Sequence, residues 1–426
     1  MARQWVWAAA LAAASAGIGC KKADIAESVN ARAPAAKDYW RQLGPGENAL
    51  RKITDPAKLP DYREGFADRE GLAEAVKRSI KYLAEHPSSL AFFPSNGISH
   101  GRVLESLQAF LSVLETTADA ETFDRRVKQM FDTYESVGCD NEGTVLFTGY
   151  YRPIFDASRV PTAEYRWPLY RKPDDLVVDE SGATIGTPRG RRTPEGTVVP
   201  YYTRGELETG PHLRNKGLEL VWLRDRFDAF IVHVQGSALL KLTDGSWMMV
   251  GYKAKTDRPY GSVGDALIKD GRIRKEERSL QRIRRHFREN PADMDKYLPI
   301  NECFVFFTEA SDGPFGSLNV KVTPLRSLAT DKAIYPRAAV TFAKTKLPGR
   351  GGVGKFPLNR FLLDQDTGGA IRAPGRADLF LGTGPEAEAV AGATYDEGRL
   401  YYLFLKDEYA GTAAPRPPAR PTASRR

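Results

Sequence analysis

The chain has 426 residues, 42% hydrophobic and 10% aromatic, enough to bury a sizeable core in about two or three domains, or in one with a large insertion. Its formal charge of +8 overstates the basicity of the body, because the closing stretch GTAAPRPPARPTASRR holds four arginines and no acid. A mildly basic body with loose basic ends gives no case for nucleic acid and suits an envelope rich in acidic polymers.

Arg3 precedes an uncharged run from Trp5 to Gly19, which is followed by Cys20, Lys21 and Lys22. The run is too short to span a bilayer and reads as an export signal over residues 1–20. Gly19 before Cys20 suits a lipoprotein signal in which Cys20 is acylated, so that lipid holds the chain to a membrane. Gly17, where leucine is usual, departs from that pattern, and a cleaved signal with an incidental cysteine is the alternative. Residues 21–65 are polar, carry Pro and Gly at loop density and read as a tether.

Three helices are predicted next. Leu72, Val76, Ile80 and Leu83 share a face; Val103, Leu104, Leu107, Leu111 and Leu114 make a second stripe; Phe123, Val127, Met130, Phe131 and Tyr134 make a third. From Gly143 the pattern changes to short β-like runs (TVLFTGYY, GTVVPYY, LELVWL, DAFIVHVQG, SWMMVGY) between Gly, Pro and Asp turns. That pattern predicts barrels or sandwiches and disfavours a doubly wound sheet. One helix interrupts it, in KEERSLQRIRRHFREN, with Leu280, Ile283 and Phe287 on one side. Strands resume with CFVFFTEA, NVKVTPL and RADLFLG, the ordered chain ends with RLYYLFLK, and residues 410–426 read as a disordered tail.

Cys139 and Cys303 remain once Cys20 is set aside, and an exported pair either forms one disulfide or stays reduced. The five histidines, His86, His100, His212, His233 and His286, have no ligand spacing, so neither a metal nor another cofactor is expected. GRGGVGKF, residues 349–356, nearly matches a phosphate-binding loop but puts Phe356 where a hydroxyl should hold Mg²⁺. DTG at 366–368 has the form of an aspartic protease loop, yet the chain has no second DTG or DSG to share a proton with it.

The sharpest local signal is DQDTGGAIRAPGRADLFLGTGPEAEAVAG, residues 364–392, which sets Asp366 and Asp378 on either side of a glycine-containing turn. A carboxylate held beside a closely approached backbone is partly desolvated, which is how an acid of raised pKa is made. Spacing alone leaves both aspartates open to a plain turn or loop role.

FTGYYRPIFDAS (147–158), FIVHVQGSALLKLTDG (230–245), VGYKAKTDRPYGSVGDAL (250–267), FVFFTEASDGPFGSLNVKVTPLRSLATD (304–331) and DTGGAIRAPGRADLFLGTG (366–384) occur in this order. Together they resemble the membrane-bound lytic murein transglycosylase A family, over about residues 140–405 and including its closing three-aspartate-type domain. Arg152, Ala238 and TDRP at 256–259 depart from the family's habit.

The resemblance implies a mainly β protein with N-terminal helices: a double-psi β-barrel with a smaller inserted β domain and a glycan groove between them. The implied division is helices and the first part of the barrel over 66–155, the insert over 156–300, and the second part of the barrel over 301–409. It further implies cleavage of the β-1,4 bond between N-acetylmuramic acid and N-acetylglucosamine with formation of 1,6-anhydromuramoyl ends. Asp378 maps onto the catalytic aspartate, and Asp366 is expected to support it. Tyr150, Tyr151, Gln235 and Ser237 are expected to contact substrate. Peptidoglycan glycan strands are the expected partner, and the expected location is the outer membrane, facing the periplasm through a lipid on Cys20. A wall-binding lipoprotein that keeps the groove without catalysis is the competing expectation.

Overall fold

Local caps decide where the predicted stripes begin and end. In the computed structural model, which describes residues 37–86, 97–179 and 187–411, an edge strand β1 (Leu50–Lys52) precedes four helices: α1 (Arg63–Ala67), α2 (Leu72–Glu85), α3 (His100–Thr116) and α4 (Ala120–Met130). Cys20, the export signal and the tail from residue 412 lie outside the described residues. Ser99 caps α3 by accepting from Arg102 N–H, and Asp119 caps α4 by accepting from Thr122 N–H, which satisfies donors that a helix start otherwise leaves orphaned.

The third stripe splits. Its helix stops at Met130, and Phe131 and Tyr134 belong to β2 (Phe131–Ser136), which follows with no loop. Apolar residues at positions 127, 130, 131 and 134 satisfy helical spacing, so periodicity could not show the change of backbone. The stretch read as a tether is folded over its described residues, 37–65. Leu50 and Tyr62 are buried, β1 pairs with β2, and Tyr62 donates to or accepts from Thr133 across 2.8 Å.

The strands that follow divide between two sheets. β3 (Val145–Arg152) belongs to the first. β4 (Ile154–Ser158) and β5 (Trp167–Tyr170) belong to the second, and β6 (Leu176–Asp179), β7 (Thr187–Arg192) and β8 (Val198–Val199) form a small ribbon of their own. After α5 (Arg204–Thr209) come β9 (Glu219–Leu223), α6 (Arg226–Gln235), β10 (Ser237–Leu242), β11 (Trp247–Lys255), the helices α7 (Val263–Lys269), α8 (Leu280–Glu289) and α9 (Asp293–Tyr297), and β12 (Val305–Ala310). The second sheet runs β12-β11-β10-β4-β9-β5. Its last strand therefore lies beyond residue 300, and its earliest strand starts before 156.

DAFIVHVQG is a helix, contrary to the strand expected there. Asp225 accepts from Asp228 N–H at its start, and Gly236, at φ 75°, closes its end in the left-handed region. Six of its ten residues are buried because the sheet core takes Ala229 and Val232 while a second cluster takes Phe227, Phe230 and Ile231. An apolar run buried on both sides does not declare its period. α5, α7 and α9 are further helices where one was expected.

The chain returns to the first sheet with β13 (Ser327–Ala329), β14 (Val340–Pro348), β15 (Lys355–Asp366), β16 (Arg376–Thr383), α10 (Pro385–Ala393) and β17 (Tyr395–Leu405). NVKVTPL is a loop crossed by a single bridge, Phe315 to Lys321. GRGGVGKF is the turn of the β14–β15 hairpin, with Phe356 exposed and no helix following, so it lacks the strand-to-helix context of a phosphate loop.

The first sheet closes. β17 pairs with both β14 and β3, β3 pairs parallel with β16, and β16 continues through β13, β15 and β14 back to β17. These six strands form the double-psi β-barrel, with β2 and β1 extending from β17. The N-terminal helices cover one side of it: Phe361 of β15 meets the rings of Tyr62, Phe110, Phe123 and Phe342. Each such buried aromatic contributes about 1.5–3 kcal/mol. Gln365 is tied into the same layer, donating to Ala75 C=O and Ser79 Oγ of α2 and accepting from Ser327 Oγ. The helical layer thus fixes the end of β15, where Asp366 stands.

Candidate functional site

Strand alternation selects the side chains that meet. In β16, Arg376, Asp378 and Phe380 share a face; in β3, its parallel neighbour, Thr148 and Tyr150 share one, with Asp378 opposite Thr148 and Phe380 opposite Tyr150. Thr148 Oγ1 donates to Asp378 Oδ1 at 2.8 Å, and Arg376 donates to the same Thr148 oxygen at 3.1 Å. Burial lifts the Asp378 carboxyl to about 6, opposed by Thr148 and the Arg376 guanidinium and aided by the charge of Asp366.

Asp366 ends β15. Tyr150 Oη donates to its Oδ2 at 2.8 Å, and the backbone N–H groups of Ser317 and Thr367 donate to its Oδ1 at 2.7 and 2.8 Å. Burial pushes this carboxyl up as well, while those three donors favour the ionised form. Gly316 permits the arrangement: a Cβ there would stand 2.5 Å from Gln365 O and 3.2 Å from Asp366 Cβ, so only glycine lets the loop close onto the carboxylate.

Asp378, Asp366 and Tyr150 are therefore brought together. Tyr151 is not. As its neighbour's alternate it points to the opposite face, 1% exposed against Ala387 and Ala391 of α10. The expectation that its ring contacts substrate is corrected to a packing role. Gly149 lies on that same face, where a Cβ would come within 3.0 Å of Ala391 Cα, so the GYY motif records the close seat of α10. Gln235 ends α6 and accepts from Tyr151 N–H at 3.1 Å, a brace between insert and barrel. Ser237 opens β10 opposite Gly251 and is buried.

Three residues beside the acid escaped the sequence reading. Thr148 and Arg376 each lie two positions before a residue already singled out, so β alternation was the available signal. Trp40, from the N-terminal arm, carries the Arg376 guanidinium 4.8 Å from its ring centre, and nothing local in DYWRQ announces that contact.

Cys139 and Cys303 are both buried and are not joined in a disulfide. Among the described residues, no group of three or more His, Cys, Asp or Glu side chains is placed to hold a metal, and no helix is long and apolar enough to cross a membrane.

Residues 146–308 match the family model described as the MltA specific insert domain, and residues 326–404 match the 3D domain. The chain is 32% identical over 286 residues to membrane-bound lytic murein transglycosylase A of Escherichia coli K12, covering 66% of this chain and 71% of that protein. It is 32% identical over 283 residues to the Vibrio cholerae protein of the same name, covering 65% and 70%. Among solved structures, the membrane-bound lytic murein transglycosylase of Agrobacterium tumefaciens superposes with TM-score 0.69 at 26% identity, covering 85% of this chain and 99% of that one. The Escherichia coli protein with bound chitohexaose superposes with TM-score 0.61 at 24% identity, over 87% and 96%, and shares the fold.

Barrel, insert and relatives define a lytic murein transglycosylase, a lyase acting on peptidoglycan. The chain belongs to the membrane-bound lytic murein transglycosylase A family.

Proposed function

We propose that this protein cleaves the β-1,4 bond between N-acetylmuramic acid and N-acetylglucosamine and leaves a 1,6-anhydromuramoyl end, with Asp378 acting first as acid and then as base. The observation that carries this reading is the raised carboxyl of Asp378, held on a barrel strand by Thr148 and still partly open to solvent. Ordinary glycosidases need two carboxylates, one to protonate the leaving oxygen and one to activate water or attack the sugar. Here the muramic acid's own C6 hydroxyl serves as nucleophile. It is tethered to the ring, so its effective concentration is high and no water need be positioned.

In the proposed sequence Asp378 gives its proton to the glycosidic oxygen as the C1–O bond breaks. The C6 oxygen then bonds to C1, and its proton passes to the Asp378 carboxylate, which restores the resting state. Asp366 is the supporting charge: held by Tyr150, Ser317 and Thr367, it disfavours a second negative charge and adds to the burial that keeps the proton on Asp378. Gln235, half-buried and with its amide NH₂ left over once its oxygen accepts from Tyr151 N–H, donates to substrate from the inserted domain, with the less exposed Ser237 two residues on as a second donor. The proposed setting is the periplasmic face of the outer membrane, with lipid on Cys20 as anchor and peptidoglycan strands as partner.

Digestion of purified peptidoglycan followed by mass spectrometry is expected to yield anhydromuramoyl ends. Reducing ends would indicate a hydrolase and overturn the reading. A general acid must be protonated, so kcat/KM is expected to fall as pH rises through about 6. Thr148→Val removes a donor to the ionised form, and the falling limb should move up by about one pH unit; an unmoved limb would place the titrating group elsewhere.

A further inference from the structure

One wall of the Asp378 site is built by a segment that the proposed mechanism leaves unused. Tyr39 and Trp40, the first aromatic residues described, turn in against the barrel beside Arg376. Trp40 Nε1 donates to Ala370 C=O at 3.1 Å, Arg376 lies over the indole, and Tyr39 Oη donates to Glu397 at 2.7 Å while its ring meets Tyr395 edge-on. Arg376 is the residue that donates to Thr148, the donor to Asp378.

The inserted domain approaches the same turn from the other side. Tyr260 lies against Gly369, next to Ala370, since a Cβ on Gly369 would sit 3.4 Å from Tyr260 Cβ. Arg278 lies 5.6 Å over the Tyr395 ring.

Trp40, Tyr260 and Tyr395 are 38%, 39% and 42% exposed, so each keeps open ring surface beyond the contacts that hold it. Arg376 Nε is buried and without a hydrogen-bond partner among the described residues. A pyranose ring with equatorial substituents presents C–H groups on its faces and hydroxyls at its edge, and an aromatic plane beside cationic donors complements both.

We propose that Trp40 is a saccharide-stacking platform, through which the N-terminal arm holds one sugar of the glycan strand beside the bond that Asp378 acts on. The inference rests on the glycan-cleavage reading and adds a binding residue from outside both matched domains.

Chitohexaose titrated calorimetrically into the Asp378→Asn protein, in which turnover is expected to be about a thousandfold slower, supplies the test. Adding Trp40→Ala should weaken binding about tenfold or more, as loss of a stacked tryptophan does, and adding Trp40→Phe should weaken it about two- to threefold. Trp40→Leu keeps an apolar cover on Arg376 and should bind as weakly as Trp40→Ala; it decides the matter if the alanine variant fails to fold.

With Asp378 intact, KM should rise in the Trp40 variants while the falling pH limb of kcat stays in place. Unchanged chitohexaose binding in folded Trp40 variants would overturn the platform. So would a displaced limb with unchanged KM, which would mean that Trp40 acts through Arg376. Absence of binding by the Trp40-containing protein would instead overturn the glycan-cleavage reading itself, and the platform with it.

Discussion

Asp378→Asn is expected to give a folded protein whose release of anhydromuramoyl products is reduced about a thousandfold or more, because one group performs both proton transfers and each is worth about 10²–10⁴. Asparagine keeps the shape and can still accept from Thr148, so strand β16 should not move. The same substitution should also raise stability, in a pH-dependent way. Unfolded, an aspartate ionises near about 3.9, whereas in the fold Asp378 keeps its proton up to about 6.

Between those values the folded state binds more proton than the unfolded one, so stability falls as pH rises through the window. The cost is absent below it and complete above it. The shift bounds that cost at about 3 kcal/mol, less what solvent screening removes from a partly open carboxylate. Asparagine carries no such cost. Its melting temperature should therefore match wild type near pH 4 and exceed it near pH 8. Melts that track wild type at both pH values would show that burial does not strain this carboxylate.

The helices over 72–85 and 100–116 were legible because each buries one face and exposes the other, which is what a 3.6-residue period reports. The short apolar runs showed a barrel or a sandwich without deciding between them, and the double-psi barrel and Asp378 were legible only through five motifs in register. What stayed hidden has two physical causes. Residues buried on both sides lose their period, as in α6, where Ile231, Val232 and His233 read as strand. Contacts between remote segments leave no local trace: Trp40 with Arg376, or Gln235 with Tyr151, pair residues 336 and 84 positions apart. The longest hairpin, β14–β15, was also missed, since Phe361, Leu362 and Leu363 in succession are all buried and blur its alternation.

Lys332→Met is expected to destabilise the protein by about 3–5 kcal/mol, the usual cost of breaking a buried ion pair from one side. Lys332 is 6% exposed and Asp364 fully buried, and the Lys332 ammonium bonds the Asp364 carboxylate as well as Thr330 Oγ1. Thr330 Oγ1 and Tyr402 Oη also donate to that carboxylate, at 2.8 Å each to Oδ2. With the lysine gone these two neutral donors remain, too few to replace water around a full charge. Adding Asp364→Asn should recover much of the loss, because no unpaired charge is then left inside.

Denaturant midpoints of the wild type, both single variants and the double variant supply the cycle. A Lys332→Met loss under about 1 kcal/mol would show that the pair is not ionised in the fold. Asp364 stands two residues before Asp366 on β15, and Lys332, in the turn after β13, is among the charges that draw the Asp366 carboxyl down. Removing it should leave Asp366 harder to ionise, weaken the charge that assists burial in keeping Asp378 protonated, and move the falling pH limb of any folded variant to lower pH. Burial raises the acid, and the same buried charge that holds the barrel interior adjusts it only at second hand, through Asp366.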